Sequence, residues 1–199
     1  HFRRQRQMCI RDSYGKMQGK VTGVVTGFHK LDDMLSGLQN SDLIILAARP
    51  SMGKTALALN MARNAAAEGV PVGIFSLEMA DYQLVMRMLC SEARIDSHRV
   101  RLGRLTEKEW ESLGRHVGHL AEYPLYIDDT PGISILELRS KARRLKAEHD
   151  IGLIVVDYLQ LLRGSSRAES RQIEIAMISQ ALKNLAKELD VPVLSLSQL

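Results

Sequence analysis

From Thr22 onward the chain alternates short apolar runs with amphipathic stretches, and this alternation restricts the fold more than any other feature. The apolar runs are Leu43–Ala48, Pro71–Ser76, Leu125–Ile127, Ile151–Val156 and Val191–Leu196. They are rich in β-branched residues and do not alternate with polar ones, so each is expected to be a strand buried on both faces. Between them, Ile135, Leu138, Ala142 and Leu145 recur at helical spacing, as do Ile175, Ile178, Leu182, Leu185 and Leu189. Ser134 with Glu137, and Thr106 with Glu109, have the offset of a capping box at a helix start. Strand–helix alternation predicts an α/β domain, a mostly parallel sheet flanked by helices on both faces. In such sheets ligands bind beyond the carboxyl ends of the strands, and the chemistry is expected there.

Composition narrows the class. Apolar residues make up 45% and charged residues 25%, as in a folded globular domain. The longest unbroken apolar run, Leu43–Ala48, is far too short to span a bilayer. Cys9 and Cys90 alone build neither a disulfide framework nor a cysteine-based zinc site, which fits a reducing, cytoplasmic setting. The net charge of +4 is unevenly placed: residues 1–13 hold +3 of it through Arg3, Arg4, Arg6 and Arg11 against Asp12. The basic pI of 9.2 is therefore no sign of a basic face on the domain. Within that head the string MCIRDS resembles a translated transposon adapter from library preparation, so residues 1–13 read as non-native. Residues 14–21 read as a linker and 22–199 as the domain, expected to be truncated directly after an apolar strand.

The first apolar run leads into Ala48-Arg49-Pro50-Ser51-Met52-Gly53-Lys54-Thr55 and then a helix pattern from Ala56 to Ala67. This is the phosphate-binding loop G-x-x-x-x-G-K-[ST], with Ala48 in place of its first glycine. Backbone N–H groups of such a loop and of the following helix start cradle polyphosphate. Lys54 would reach the β- and γ-phosphates, and the Thr55 hydroxyl would ligate Mg²⁺. Leu153-Ile154-Val155-Val156-Asp157 puts an acid at a strand's carboxyl end, placed to hold the Mg²⁺ shell through water. Glu78, just past the second run, can orient and deprotonate the water that attacks a γ-phosphate. Gln198 follows the last run, where an amide can sense the γ-phosphate and relay its loss.

TGFHKLD (26–32), ARPSMGKT (48–55), FSLEM (75–79), IDDTP (127–131), VVDYLQLL (155–162), LAKELDVPV (185–193) and SLSQL (195–199) together resemble the RecA-type ATPase domain of bacterial replicative DNA helicases, the DnaB family. The resemblance spans roughly residues 20–199. It implies a RecA-like P-loop NTPase core and an ATP-dependent helicase. In that family homo-hexameric rings translocate on single-stranded DNA and unwind duplex DNA at a replication fork. It implies ATP and Mg²⁺ as cofactors, and primase and a helicase loader as partners. Carried over residue by residue, it makes Lys54 and Thr55 phosphate and Mg²⁺ ligands, Glu78 the catalytic base, Asp157 the Walker B acid and Gln198 the coupling residue, with Arg49 near the nucleotide. The family's DNA-gripping loops and its arginine finger follow the SQL segment.

Other residues carry less. Arg163, Arg167 and Arg171 flank Gly164-Ser165-Ser166, a stretch that is either a solvated surface loop or a DNA-contacting one. His29, His98, His116, His119 and His149 lack metal-ligand spacing, and Trp110 is expected to pack beneath a helix over 106–121. Asp128 and Asp129 are expected to cap the turn after the third strand. The site chemistry alone leaves another RecA-fold ATPase, a recombinase or a signalling ATPase, as the alternative. A purely regulatory nucleotide-binding module has no need of both Glu78 and Asp157.

Overall fold

Each of the five apolar runs forms a strand: β1 (Leu43–Ala48), β2 (Val72–Ser76), β3 (Leu125–Asp128), β4 (Leu153–Asp157) and β5 (Val193–Gln198). The structure, a computed structural model, describes residues 21–163 and 170–199. The 1–13 head, residues 14–20 of the linker, Gly164-Ser165-Ser166 and Arg167 lie outside the described residues. All strand pairs are parallel, in the order β1-β5-β4-β2-β3. The helices are α1 (His29–Leu35), α2 (Lys54–Ala67), α3 (Asp81–Ala93), α4 (Ser97–Arg101), α5 (Glu107–Glu122), α6 (Ile135–His149) and α7 (Arg171–Leu189). A short 3-10 turn, Leu159–Leu161, follows β4.

The central strands show why their sequences lack alternation. Leu153 and Val155 of β4 join a core with Leu59 and Ala62 of α2, Leu84 and Met88 of α3, and Leu113 and Leu120 of α5. Ile154 and Val156 face the other way, into a core with Leu138 and Ala142 of α6 and Ile178, Leu182 and Leu185 of α7. Both faces are covered, so every residue of β2 and β4 is buried. The helical repeats read from sequence supply the second core. The outer strands differ from expectation. β1 and β3 lie at the edges of the described sheet, and neither has a fully buried residue; Ile45 is 45% exposed.

Local signals also divide. At α5 the full capping box forms: Thr106 accepts from the Glu109 N–H, and Glu109 accepts from the Thr106 N–H. The same carboxylate takes a two-pronged contact from Arg99, fastening α4 to α5. At α6 only half of the box forms. Ser134 accepts from the Glu137 N–H, while the Glu137 side chain leans toward Lys141 at 3.7 Å. Trp110 corrects its expectation, standing 57% exposed. α5 is buried along Leu113 and Leu120, and Trp110, one turn before Leu113, stays in solvent. Asp128 does turn back onto the Thr130 N–H (3.0 Å), but it also pairs with Lys141 at 2.7 Å, and Asp129 accepts instead from the Asp81 N–H that opens α3.

Outside the sheet, TGFHKLD packs around one buried acid. Asp32 accepts from the Thr26 N–H and hydroxyl, each at 2.8 Å, and from the Gly27 N–H at 3.1 Å. Asn64 of α2 then donates to the Thr26 carbonyl at 2.8 Å. Gly27 has φ +77°, and a Cβ there would strike the Asn64 side chain, so glycine is required twice over.

α6 and α7 are joined at their exposed side by Glu188, which pairs with Arg143 and, at 3.0 Å, with Arg139. The hydrogen bond from Arg143, and then that from Arg139, hold the Glu188 carboxyl down from 4.5 to about 2. A depressed carboxylate stabilises the fold above its unfolded value, and the gain is lost as pH falls through the folded value. Glu188→Gln is therefore expected to be less stable than wild type at neutral pH, with the gap closing between about pH 4.5 and 2. Solvent screening keeps the gap small. Urea unfolding at stepped pH checks it; a gap that widens on acidification contradicts the pairing.

Candidate functional site

Because every strand runs the same way, their carboxyl ends share one edge of the sheet. Register places Ala48 of β1 beside Gln198 of β5, and Ser76 of β2 beside Asp157 of β4. The segments leaving these strands enclose a cleft of about 420 Å³ lined by Arg49, Pro50, Ser51, Gly53, Lys54, Thr55, Glu78, Arg87 and Gln198, among others. Lys54, Thr55, Glu78 and Gln198, expected to act together, are brought together. Asp157 lies beneath them, only 4% exposed. Ala48 ends β1 at the cleft's margin, and Met52 stands out in solvent, 74% exposed.

The loop from β1 to α2 has the backbone that its glycine and serine allow. Gly53 (φ +86°) and Ser51 (φ +64°) both take left-handed conformations. Gly53 stands at the cap of α2 without a side chain to offer, and no side-chain hydrogen bond closes the helix start. The first N–H groups of α2 and the positive end of its dipole thus face the cleft, as anion binding requires. Lys54, the first residue of α2, carries its ammonium 4.5 Å from the centre of the Tyr158 ring.

Glu78 is presented by a small turn. The Ser76 hydroxyl donates to the Met79 carbonyl at 2.6 Å and accepts the Met79 N–H at 3.3 Å, folding residues 76–79 back on themselves. The Leu77 N–H donates to the Asp157 carbonyl at 2.8 Å, which ties that turn to the end of β4. Glu78 itself is exposed at the tip.

Asp157 is the anomaly of the site. Both carboxylate oxygens are buried without a hydrogen-bond partner among the described residues. The Thr55 hydroxyl faces them but does not close a bond of normal length. Burial raises the Asp157 pKa above the ordinary carboxylate value, and the Glu78 charge adds to the rise; Thr55, Lys54 and Arg87 oppose it. A buried, unpartnered carboxylate beside a hydroxyl is an oxygen donor set that suits Mg²⁺. Among the described residues no three His, Cys, Asp or Glu side chains converge on one point. Such an ion would therefore rest on Asp157, Thr55, water and the phosphates it accompanies.

The sequence motifs assign no role to two further contributors. Arg87, on α3, lines the cleft beside Glu78, yet it lies inside an amphipathic helix with no local motif to single it out. Gln160, in the turn after β4, bonds to the segment carrying Gln198. Of the arginines around this stretch, Arg163 and Arg171 are described, and both have contacts within the chain. Arg163 bridges to Ser134 through its backbone, and Arg171 pairs with Glu174 and donates to the Gln160 carbonyl.

Comparison with known proteins shows the family of the chain. Residues 23–199 match the family described as the DnaB-like helicase C terminal domain. The chain is 55% identical over 183 residues to the replicative DNA helicase DnaB of Geobacillus stearothermophilus, covering 91% of this chain and 40% of that protein. It is 54% identical over 184 residues to the replicative DNA helicase DnaC of Bacillus subtilis (strain 168), covering 92% and 40%. It thus spans about 40% of the length of these relatives. Among solved structures, a DnaB-like replicative helicase studied with primase superposes with a TM-score of 0.91 at 33% identity, over 98% of this chain and 48% of that one. A separately solved ATPase domain superposes at 0.93 and 33% identity, over 98% and 70%. The sheet order, the phosphate-type loop and these matches agree: the chain belongs to the DnaB-like helicase C-terminal domain family.

Proposed function

We propose that this chain is the ATP-hydrolysing motor domain of a replicative DNA helicase, using Mg·ATP to drive translocation on single-stranded DNA and unwinding of duplex. The observation that carries the proposal is the joint placement of Lys54, Thr55, Glu78 and Gln198 on one cleft above the unpartnered carboxylate of Asp157. The open start of α2 and Lys54 bind the β- and γ-phosphates. A Mg²⁺ ion bound with the nucleotide would supply positive charge against the phosphate charge that builds in the transition state. Asp157 and Thr55 fix its place. Glu78 takes a proton from the attacking water. Gln198 contacts the terminal phosphate, and Arg87 adds a cation at the Glu78 side of the cleft.

The family points to a homo-hexameric ring in the cytoplasm that meets primase and a loader. Among the described residues no helix is long and apolar enough to cross a membrane. The relatives' names favour the helicase over another RecA-fold ATPase.

Lys54→Ala is expected to weaken Mg·ATP binding at least tenfold, since it deletes a charge-assisted contact worth about 1.5–3 kcal/mol. A titration with a fluorescent ATP analogue reads this, and equal affinities remove Lys54 from the site. Glu78→Gln is expected to keep that affinity while phosphate release drops at least about 100-fold, because an amide holds water but cannot take its proton. Turnover within a few-fold of wild type transfers the role to another group. Asp157→Asn is expected to raise the unfolding free energy by about 1 kcal/mol, since it removes an unpaired buried charge, while Mg²⁺-dependent nucleotide binding is lost. Thermal unfolding with and without Mg·ATP analogue checks both parts; a less stable variant means the carboxylate is already satisfied in the fold.

A further inference from the structure

β5 reaches further toward the cleft than its neighbour β4 does. The β4–β5 ladder ends at Val156 and Ser195, while β5 continues to Gln198, still paired with β1. The N–H groups of Val193 and Leu199 donate to Asp42 and Ala48 on the β1 side. By the alternation of a strand, the N–H and C=O of Gln198 therefore point the opposite way, toward the space β4 has left. There the chain turns into the 3-10 segment Leu159–Leu161, and the side chain of Gln160 occupies the position of the missing strand. Its Nε2 donates to the Gln198 carbonyl at 3.0 Å and to the Ser197 hydroxyl at 2.9 Å. Its Oε1 accepts the Gln198 N–H at 3.4 Å. One side-chain amide thus continues the ladder by a further residue. Gln160 is held in turn, because Arg171 at the start of α7 donates to its carbonyl.

We propose that Gln160 is a positioning residue for the nucleotide site: it fixes the backbone of Gln198 so that the Gln198 side chain meets the terminal phosphate. Without it, the last residues of β5 are held on the β1 side alone. Gln198 then samples orientations that miss the phosphate. The same clamp links the phosphate-facing end of β5 to the first residue of α7 through two consecutive side-chain contacts, Gln160 to Gln198 and Arg171 to Gln160.

The inference rests on the nucleotide reading of the cleft, and the test separates the two. Affinities for ADP and for a non-hydrolysable ATP analogue are measured on the chain carrying Gln160→Ala, Gln198→Ala, both changes, or Lys54→Ala. Loss of nucleotide binding in Lys54→Ala upholds the cleft itself, and its retention overturns both readings. Gln160→Ala is expected to leave ADP affinity within about twofold and to lower the analogue-to-ADP preference about fivefold, part of what a hydrogen bond to a charged group contributes. The double variant is expected to be no worse than Gln198→Ala alone, since both changes remove one interaction. A residue that only stabilises the fold would instead lower both affinities together, or add its effect to that of Gln198→Ala. Either outcome overturns the proposal, as does an unchanged preference in either single variant. Gln160→Glu keeps the acceptor for the Gln198 N–H and loses the donor, so it is expected to fall between wild type and Gln160→Ala. It serves as the second variant if alanine unfolds the chain end.

Discussion

The burial of β4 on both faces sets the terms for everything around it. Leu153 and Val155 anchor one core, Ile154 and Val156 the other, and neither layer of helices can shift without disturbing the strand they share. Close packing makes such a strand a rigid reference. The next residue, Asp157, is therefore carried to the sheet edge in a fixed position and is still buried when it arrives. β2 is held the same way, so the turn that presents Glu78 begins from a second fixed point, Ser76, directly beside Asp157 in the ladder. The site inherits its geometry from the sheet, and the loops supply only the reach.

What the sequence discloses follows from the range of the interactions involved. The phosphate-type loop is legible because a strand, a left-handed glycine, a lysine and a helix start are all local. The central strands are legible because an unbroken run such as Leu153–Val156 can be satisfied only by covering both faces. The same logic misleads at β1: LIILAA is as apolar as β4, yet a run does not state who its neighbours are, and Ile45 stands at an edge. Trp110 misleads similarly, since the stripe that buries α5 is decided by α3 and not by α5. Arg87 escapes notice altogether, and Gln160, though it stands inside VVDYLQLL, receives no role from that motif. Each looks like an ordinary polar residue of its own segment, and its significance comes from a strand end remote in sequence.

Capping shows the same division on a smaller scale. Thr106 and Glu109 close their box because Glu109 can serve the helix start and Arg99 at once. Ser134 and Glu137 have the same spacing, but Lys141 lies one turn on and draws Glu137 away. A motif fixes what is available locally; a nearby charge decides whether it is used.

Charge pairing separates structural ions from those of the cleft. Where charge fastens elements together, the chain closes its pairs: Lys141 with Asp128 at 2.7 Å, Lys183 with Asp42 at 2.8 Å, Glu188 with two arginines. Around the cleft it does not. Among the described residues Lys54, Arg87, Glu78 and Asp157 form no ion pair within 4 Å, although all four converge on one sheet edge and feel one another's charge. Lys54 leans on the Tyr158 ring rather than on a carboxylate, a weaker hold of roughly 0.5–2 kcal/mol. A closed Lys54–Asp157 pair would be more stable in isolation, and it would also have to be broken before either group could meet a ligand. Leaving a buried carboxylate unpaired costs stability. In return Lys54 and Asp157 are held apart by the sheet, and among the described residues neither has a charged partner to displace.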